Sequence, residues 1–284
     1  MKTVLNFIIL ITLIVISCPE STFAQQDTTD IEMVQLKLTD GSNIVGDIIE
    51  EDDNTILIRT LSNLEIRVPK ENIAERNIIK GQIEEGEFWH SDPNQTRMFF
   101  APTGRALKQG EGYFSVYEIF FPFIAVGVTD WFTLAGGMTL IPGLDGQAFY
   151  IAPKFTPIQL PNFDASIGVI YLALPESDDG GGIAYGVATY GTEKAAFTLG
   201  LGFGFSGGDF ADKPIIVIGG EVRVSKSVKL ISENWLVLSG DVDLISFGVR
   251  FFGENLAADF GLITSTEAGD GFPFFPWLGF AYNF

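Results

Sequence analysis

The chain has 284 residues, of which 46% are hydrophobic, and it contains 32 glycines and 26 phenylalanines. Its formal net charge of −19 argues against nucleic acid as a partner, because phosphate binding needs clustered lysine and arginine. Its single cysteine, Cys18, excludes an intrachain disulfide. After residue 24, no run reaches the ~18 apolar residues that a membrane helix needs. Two classes remain: a large soluble β-sandwich, or a membrane β-barrel whose apolar residues occupy every second position.

The N-terminus predicts an export signal over residues 1–24. Met1-Lys2 gives a positive start, and residues 4–17 form an apolar core that is too short to span a membrane. Thr22 and Ala24 place small residues at positions −3 and −1 before Gln25, so we expect signal peptidase I to cleave after Ala24. The alternative is lipoprotein processing, because residues 15–18 resemble a lipobox that would leave Cys18 acylated.

Residues 25–80 predict a small domain of short strands separated by turns. Gly46 lies within its second strand and indicates strong bending there. The pattern resembles an SH3-like or Sm-like small β-barrel. Sm-like domains bind RNA, which we do not expect here because the domain is exported and acidic. A periplasmic adaptor or spacer is the better interpretation. The predicted strands are 33–38, 43–51, 55–60, 64–68 and one near 77–79, with a short turn at 69–73.

Residues 81–111 predict a linker and approach segment, of which 96–111 is either a periplasmic approach or a plug. The stretch contains His90, the only histidine of the chain. One histidine without a second histidine or a cysteine is weak evidence for a metal site. We therefore predict no metal and no cofactor.

Residues 112–284 predict an antiparallel transmembrane β-barrel of about twelve strands, so that the whole chain is all-β. The clearest strand, at 195–205, alternates large apolar residues with alanine, threonine and glycine, as expected of a strand that faces lipid on one side. Short turns alternate with longer, acidic, glycine-rich loops. This alternation predicts short turns and both termini in the periplasm. The predicted strands are 112–120, 122–128, 131–140, 147–155, 164–174, 181–191, 194–205, 214–224, 228–240, 244–252, 256–264 and 273–284.

The last strand carries the most specific pattern. It alternates aromatic and other residues and ends the sequence on Phe284. Gly279, Tyr282 and Phe284 resemble the C-terminal insertion signal of bacterial outer-membrane barrels. That resemblance implies recognition by the barrel-assembly machinery and contact with outer-membrane lipid.

The amino-acid sequence is similar to that of uncharacterised outer-membrane barrel proteins of Bacteroidota-like bacteria at residues 96–110, 153–154, 233–235 and 248–251. The resemblance covers much of 96–284. It implies a fold and brings no established activity.

Strand parity predicts a set of charged residues that point into the barrel, since a charge facing lipid at mid-depth is costly. Three interpretations stay open: a salt-bridged filling of a narrow barrel, a porin-like path for small solutes, and an enzyme. An enzyme is the least favoured, because the barrel lacks the histidine that usually activates a nucleophile. We expect a passive or structural role, as a narrow pore or membrane scaffold. The alternative is surface binding, adhesion or docking of a periplasmic partner. The predicted lumenal residues are Lys154, Glu221, Arg223, Lys229, Glu233, Arg250 and Asp259.

Overall fold

A computed structural model describes residues 31–84, 86–143, 146–175, 180–238, 242–266 and 274–284. The predicted export signal, its cleavage site after Ala24 and the lipobox cysteine Cys18 lie outside these residues. None of the described residues forms a helix long and apolar enough to cross a membrane.

The N-terminal part is a six-stranded antiparallel sheet in the order β4-β3-β2-β1-β5-β6. Leu36, Ile56, Ile58 and Val68 form its buried core. Among the described residues no strand pairing joins its two edges, so the closed SH3-like or Sm-like barrel stays a prediction. Its strands are β1 (Ile31–Leu38), β2 (Asn43–Glu51), β3 (Thr55–Thr60), β4 (Glu65–Pro69), β5 (Ile73–Glu84) and β6 (Glu87–His90), with a 3₁₀ turn at Lys70–Asn72.

The prediction of a linker over residues 81–95 was wrong in its first half. Residues up to Glu84 continue β5, and Glu87–His90 returns as β6, with Ile83 opposite Phe88. Gly86 makes the turn between them at φ +81°. The glutamates of this hairpin give it the composition of a solvated segment, and that composition hides the strand alternation.

The rest of the chain forms a closed antiparallel barrel of twelve long strands in the described residues, which confirms the predicted fold class and strand number. β19 pairs with β7, and β12 pairs with β13, so the hydrogen-bonded ring has no open edge. A two-residue strand, β14 (Asp209–Phe210), extends one hairpin. The long strands are β7 (Gly112–Tyr117), β8 (Phe121–Thr129), β9 (Phe132–Met138), β10 (Phe149–Leu160), β11 (Phe163–Ala173), β12 (Gly181–Gly191), β13 (Ala195–Ser206), β15 (Ile215–Ser225), β16 (Val228–Val237), β17 (Leu244–Phe252), β18 (Leu256–Ser265) and β19 (Phe275–Asn283).

The outer face of the barrel is apolar. On β13, Phe197, Leu199 and Leu201 are about half exposed and point outward, whereas Ala196 and Thr198 are buried inside. This is the reverse of a soluble protein, which buries its large apolar side chains. In a closed barrel, such a surface is the one that lipid covers.

The two ends of the barrel differ. The connections after β8, β10, β12, β15 and β17 have two or three residues, and those at the opposite end are longer except for the three-residue connection between β7 and β8. The small sheet lies at the short-turn end, where Lys80 pairs with Glu111 at 2.5 Å and Lys194 pairs with Glu84 at 2.7 Å. The C-terminal residue Phe284 is at the same end, hydrogen-bonded to Gly112.

Candidate functional site: a plug inside the barrel

Residues 91–108 enter the barrel from the short-turn end and return to the same end. We call this re-entrant segment the plug. Its tip is a tight turn in which the Met98 amide donates to the Ala101 carbonyl at 2.9 Å. Arg97 and Pro102 flank this turn and form an isolated antiparallel β-bridge. Phe99 is almost completely buried. The segment therefore fills the half of the barrel interior that lies toward the short turns, which is the plug alternative of the sequence interpretation.

Arg250 of β17 is the main anchor of the plug. Its guanidinium donates to Asp259 Oδ1 at 2.6 Å, to Asp92 Oδ2 at 3.1 Å and to the Asn94 carbonyl at 2.8 Å. Arg97 of the plug pairs with the same Asp259 from the other side. Both Arg250 and Asp259 are fully buried. One wall cation thus holds both a plug carboxylate and the plug backbone.

Glu233 of β16 caps the plug tip. Its Oε2 accepts the backbone N–H groups of Phe99, Phe100 and Ala101 at 2.9–3.0 Å. Its Oε1 accepts the indole N–H of Trp235 at 2.7 Å. A carboxylate that receives several N–H donors fixes the backbone of a turn more firmly than a neutral acceptor would.

Lys154 of β10 holds both arms of the plug. Its ammonium donates to the carbonyls of Thr96, Thr103 and Arg105 at 3.3, 3.3 and 2.6 Å. A lysine has three donors and no acceptor, so three carbonyls satisfy it fully. The buried cation is compensated by backbone dipoles of the segment that it positions.

A second group of charges lies closer to the short turns. Lys229 is within 3.2–3.5 Å of Asp92, Glu193 and Glu221, and Arg105 of the plug also pairs with Glu221. Removing a buried charge from its partner is strongly destabilising, because the other charge is left uncompensated. These pairs therefore couple plug and wall, although a buried ion pair adds little net stability over an apolar contact.

Lumenal glycines make room for the plug backbone and side chains. A Cβ atom added at Gly219 would lie 2.0 Å from the sulfur of Met98, and one at Gly127 would lie 2.0 Å from the Lys108 carbonyl oxygen. Both distances are far below van der Waals contact. The small residues of the inward face therefore leave the space that the plug occupies.

The structure places all seven predicted lumenal residues on the inner side of the strands. Six of them are buried as whole residues, and Arg223 has a buried side chain that reaches the small sheet. Sequence reasoning missed four buried charged residues, of which three belong to the plug and one lies in a turn. The isolated arginines in an otherwise small and apolar stretch were the available signal. The missed residues are Asp92, Arg97, Arg105 and Glu193.

Of the predicted insertion signal, Gly279 and Tyr282 lie on the last strand, and Phe284 follows it directly. Gly279 faces inward against Asp259, where an added Cβ would be 3.3 Å from the carboxylate. Tyr282 and Phe284 are about half exposed on the outer face near the short turns. Their recognition by the assembly machinery stays a prediction.

His90 ends β6 and is half buried against the barrel. Burial lowers its pKa below the ordinary value, while nearby Glu254 opposes the shift and Arg223 adds to it. Within the described residues, no group of three or more histidine, cysteine or carboxylate side chains is arranged to hold a metal ion.

No protein family model matches the chain, and no curated protein matches it. Among solved structures, the barrel is similar to the KdgM porin in complex with disordered oligogalacturonate, at 7% identity and a TM-score of 0.44, over 61% of this chain and 95% of that one. It is also similar to OmpT, an outer-membrane protein of Vibrio cholerae, at 13% identity and a TM-score of 0.34, over 90% of this chain and 96% of that one. Likeness at this level says nothing about a substrate.

Proposed function

We propose that the protein is an outer-membrane β-barrel with a passive role: a narrow pore that its own plug holds closed. The observation that carries this proposal is the attachment of the plug to the wall. Arg250, Glu233 and Lys154 come from three different strands and each holds plug backbone groups. The lumen conducts only when this segment shifts.

The location follows from three features taken together. The N-terminal residues have the pattern of an export signal. The barrel is closed and apolar outside, which is one of the two forms that satisfy backbone groups in lipid. The last strand resembles an insertion signal. With the short turns in the periplasm, the small sheet is periplasmic as well, and the resemblance to Bacteroidota-like barrels fits this arrangement.

We propose no catalytic role for the lumenal carboxylates. Glu233 is occupied by the plug tip, Asp259 by Arg97 and Arg250, and Glu221 by Arg105. A general acid or base needs access to a substrate proton. In the closed state, these carboxylates bind the plug or the arginines that attach it to the barrel wall.

A second candidate function is docking of a periplasmic partner by the small sheet. Its surface exposes Ile78 at 69% and Leu64 at 62%, with Ile83 and Ile49 also more than 40% exposed. In this candidate, the plugged barrel is an anchor that never opens.

Single-channel recording in planar bilayers tests the proposal. We expect the wild type to open rarely and the double variant Glu233→Ala/Arg250→Ala to open at least about tenfold more often, because an unpaired plug is released. Glu233→Gln keeps one acceptor oxygen without the charge, so its opening frequency should lie between those of the wild type and the double variant. The charge-matched control is Arg59→Ala/Glu65→Ala, an exposed pair of the small sheet. Heat-modifiable gel mobility verifies that each barrel is folded.

Folded Glu233→Ala/Arg250→Ala and Glu233→Gln variants that both stay silent would contradict a gated pore and favour the anchor. Equal opening in the control pair would show that the effect does not come from the plug.

A further inference from the structure

The lumen has two unlike halves. Around the plug, the inward side chains are charged and buried. Toward the long loops, the inward strand positions beyond Glu233 and Lys154 have no charged side chain in the described residues. We call this loop-side half of the lumen the chamber. Its wall includes Leu172, Ile183, Ile215, Trp235, Leu244 and Trp277.

The placement of these wall residues follows from the strand register. Lys154, which points into the lumen, pairs with Gly168, and Gly168 pairs with Tyr185. Ile170 and Ile183 are two residues from this row and face each other, so both also point inward. On the opposite wall, Ile263 pairs with Ser246, which is buried in the lumen.

The chamber is open space. Leu172 is 36% exposed and Leu244 is 39% exposed although both point into the lumen, whereas lumenal residues around the plug, such as Lys229, are fully buried. Partial exposure on an inward face means that solvent reaches these side chains, which lie at the loop-side ends of β11 and β17. Between the plug tip and the wall, a cleft of about 30 Å³ continues this space beside Ile183 and Trp235.

The floor of the chamber is the plug tip. Phe100 is 43% exposed, in contrast to its buried neighbours Met98 and Phe99. Its ring lies 6.1 Å from that of Tyr117 and 6.0 Å from that of Trp235, measured between centroids. Three aromatic side chains from the plug and two strands thus form an apolar platform.

An apolar chamber of this kind is unlike the polar lumen of a water-filled porin. Ligand sites are typically concave and lined by hydrophobic and aromatic side chains. Among the described residues, the inward strand positions of the wall offer no charged group for an ionic head, and the closed ring of strand pairings separates the space from lipid. The occupant that fits is an uncharged molecule that enters from the loop side.

We propose that the chamber binds a neutral, apolar or aromatic small molecule, which rests on Phe100 of the plug. Because the chamber exists in the closed barrel, this binding does not depend on whether the plug opens.

Tryptophan quenching tests the proposal in lipid nanodiscs. In a Trp89→Phe/Trp131→Phe background, the remaining Trp235 and Trp277 report on the chamber. Bromobenzene and 1-bromohexane are the probes, and toluene is the unbrominated competitor. We expect saturable quenching that toluene reverses. Ile183→Asp and Ile215→Asp should weaken binding at least about tenfold, since each places a charge in the apolar wall.

Ile78→Asp, the same change at an exposed position of the small sheet, is the matched control and should bind like the parent. Quenching without saturation, or equal affinity in folded chamber variants, would overturn the proposal. Saturating quenching by nanodisc lipids brominated in their acyl chains would overturn it too, by showing that lipid fills the space. A barrel that binds but never conducts would refute only the proposed pore.

Discussion

Gly219 shows how a single position decides whether the lumen can hold its plug. The residue lies on the inner face of β15, directly against Met98, and its missing side chain leaves the space that the methionine sulfur occupies. Met98 in turn packs with Phe99 and Ile231 in a small apolar cluster between the charged groups. The plug is therefore fixed by shape as well as by charge.

We predict that Gly219→Val loosens the plug, because its new methyl groups overlap Met98. Overpacking of this kind costs about 1–3 kcal/mol. Hydrogen exchange of residues 96–103 measures the loss of protection. Met98→Ala should restore much of it in the double variant, as expected for two residues in direct contact. Gly253→Val, in a turn with no neighbour within 4 Å of an added Cβ, is the control. Unchanged protection in Gly219→Val would contradict the packing.

At the scale of elements, Arg223 connects the small sheet to the barrel. Its guanidinium carbon lies 5.0 Å from the ring centroids of both Trp89 and Phe252, and it donates to the His90 carbonyl at 2.7 Å. The surface pairs around it, such as Lys226 with Glu87, are exposed and contribute ~0–1 kcal/mol each. The orientation of the sheet at the barrel mouth therefore depends mainly on this buried side chain.

We predict that Arg223→Ala raises hydrogen exchange in β6 by roughly tenfold, because a cation–π contact and hydrogen bonds to the sheet are lost together. Arg223→Lys should recover part of the protection, since lysine keeps the charge and loses the planar fork. Lys226→Ala is the control and should change it little. If both alanine variants behave alike, the surface pairs matter as much as Arg223.

As a whole molecule, the protein has its polarity inverted across the barrel wall. Large apolar residues such as Leu199 point outward, and Arg250 and Asp259 are fully buried inside. In water, this arrangement would expose a broad apolar belt. In a bilayer, the same belt is solvated by lipid, and the internal charges are shielded by the plug and by one another.

We predict that Leu199→Arg destabilises the barrel by about 2–4 kcal/mol in lipid, as for a cation near the bilayer midplane. Urea titration of the protein folded in lipid vesicles, followed by heat-modifiable mobility, measures the change. Leu64→Arg makes the same substitution at an exposed turn of the small sheet and should be neutral. Equal stability of the two variants would argue that β13 does not face lipid.

By itself, the sequence determined the strands, because a period of two in apolar residues is a local signal that each strand carries on its own. It also determined parity, so that Lys154, Glu233 and Arg250 could be assigned to the inner face from β10, β16 and β17 alone. The sequence did not reveal β6, because the glutamates of its hairpin resemble a solvated linker.

Only the tertiary structure decided what meets those inner residues. The plug has no periodicity, and the groups that it pairs are far apart in sequence: Asp92 is 158 residues from Arg250, and Phe99 is 134 residues from Glu233. The apolar chamber likewise requires side chains from many strands, brought to one level by the register of the closed barrel. The alternation of apolar residues determines which side chains of a strand point into the lumen. Closure of the barrel determines which residues those side chains contact.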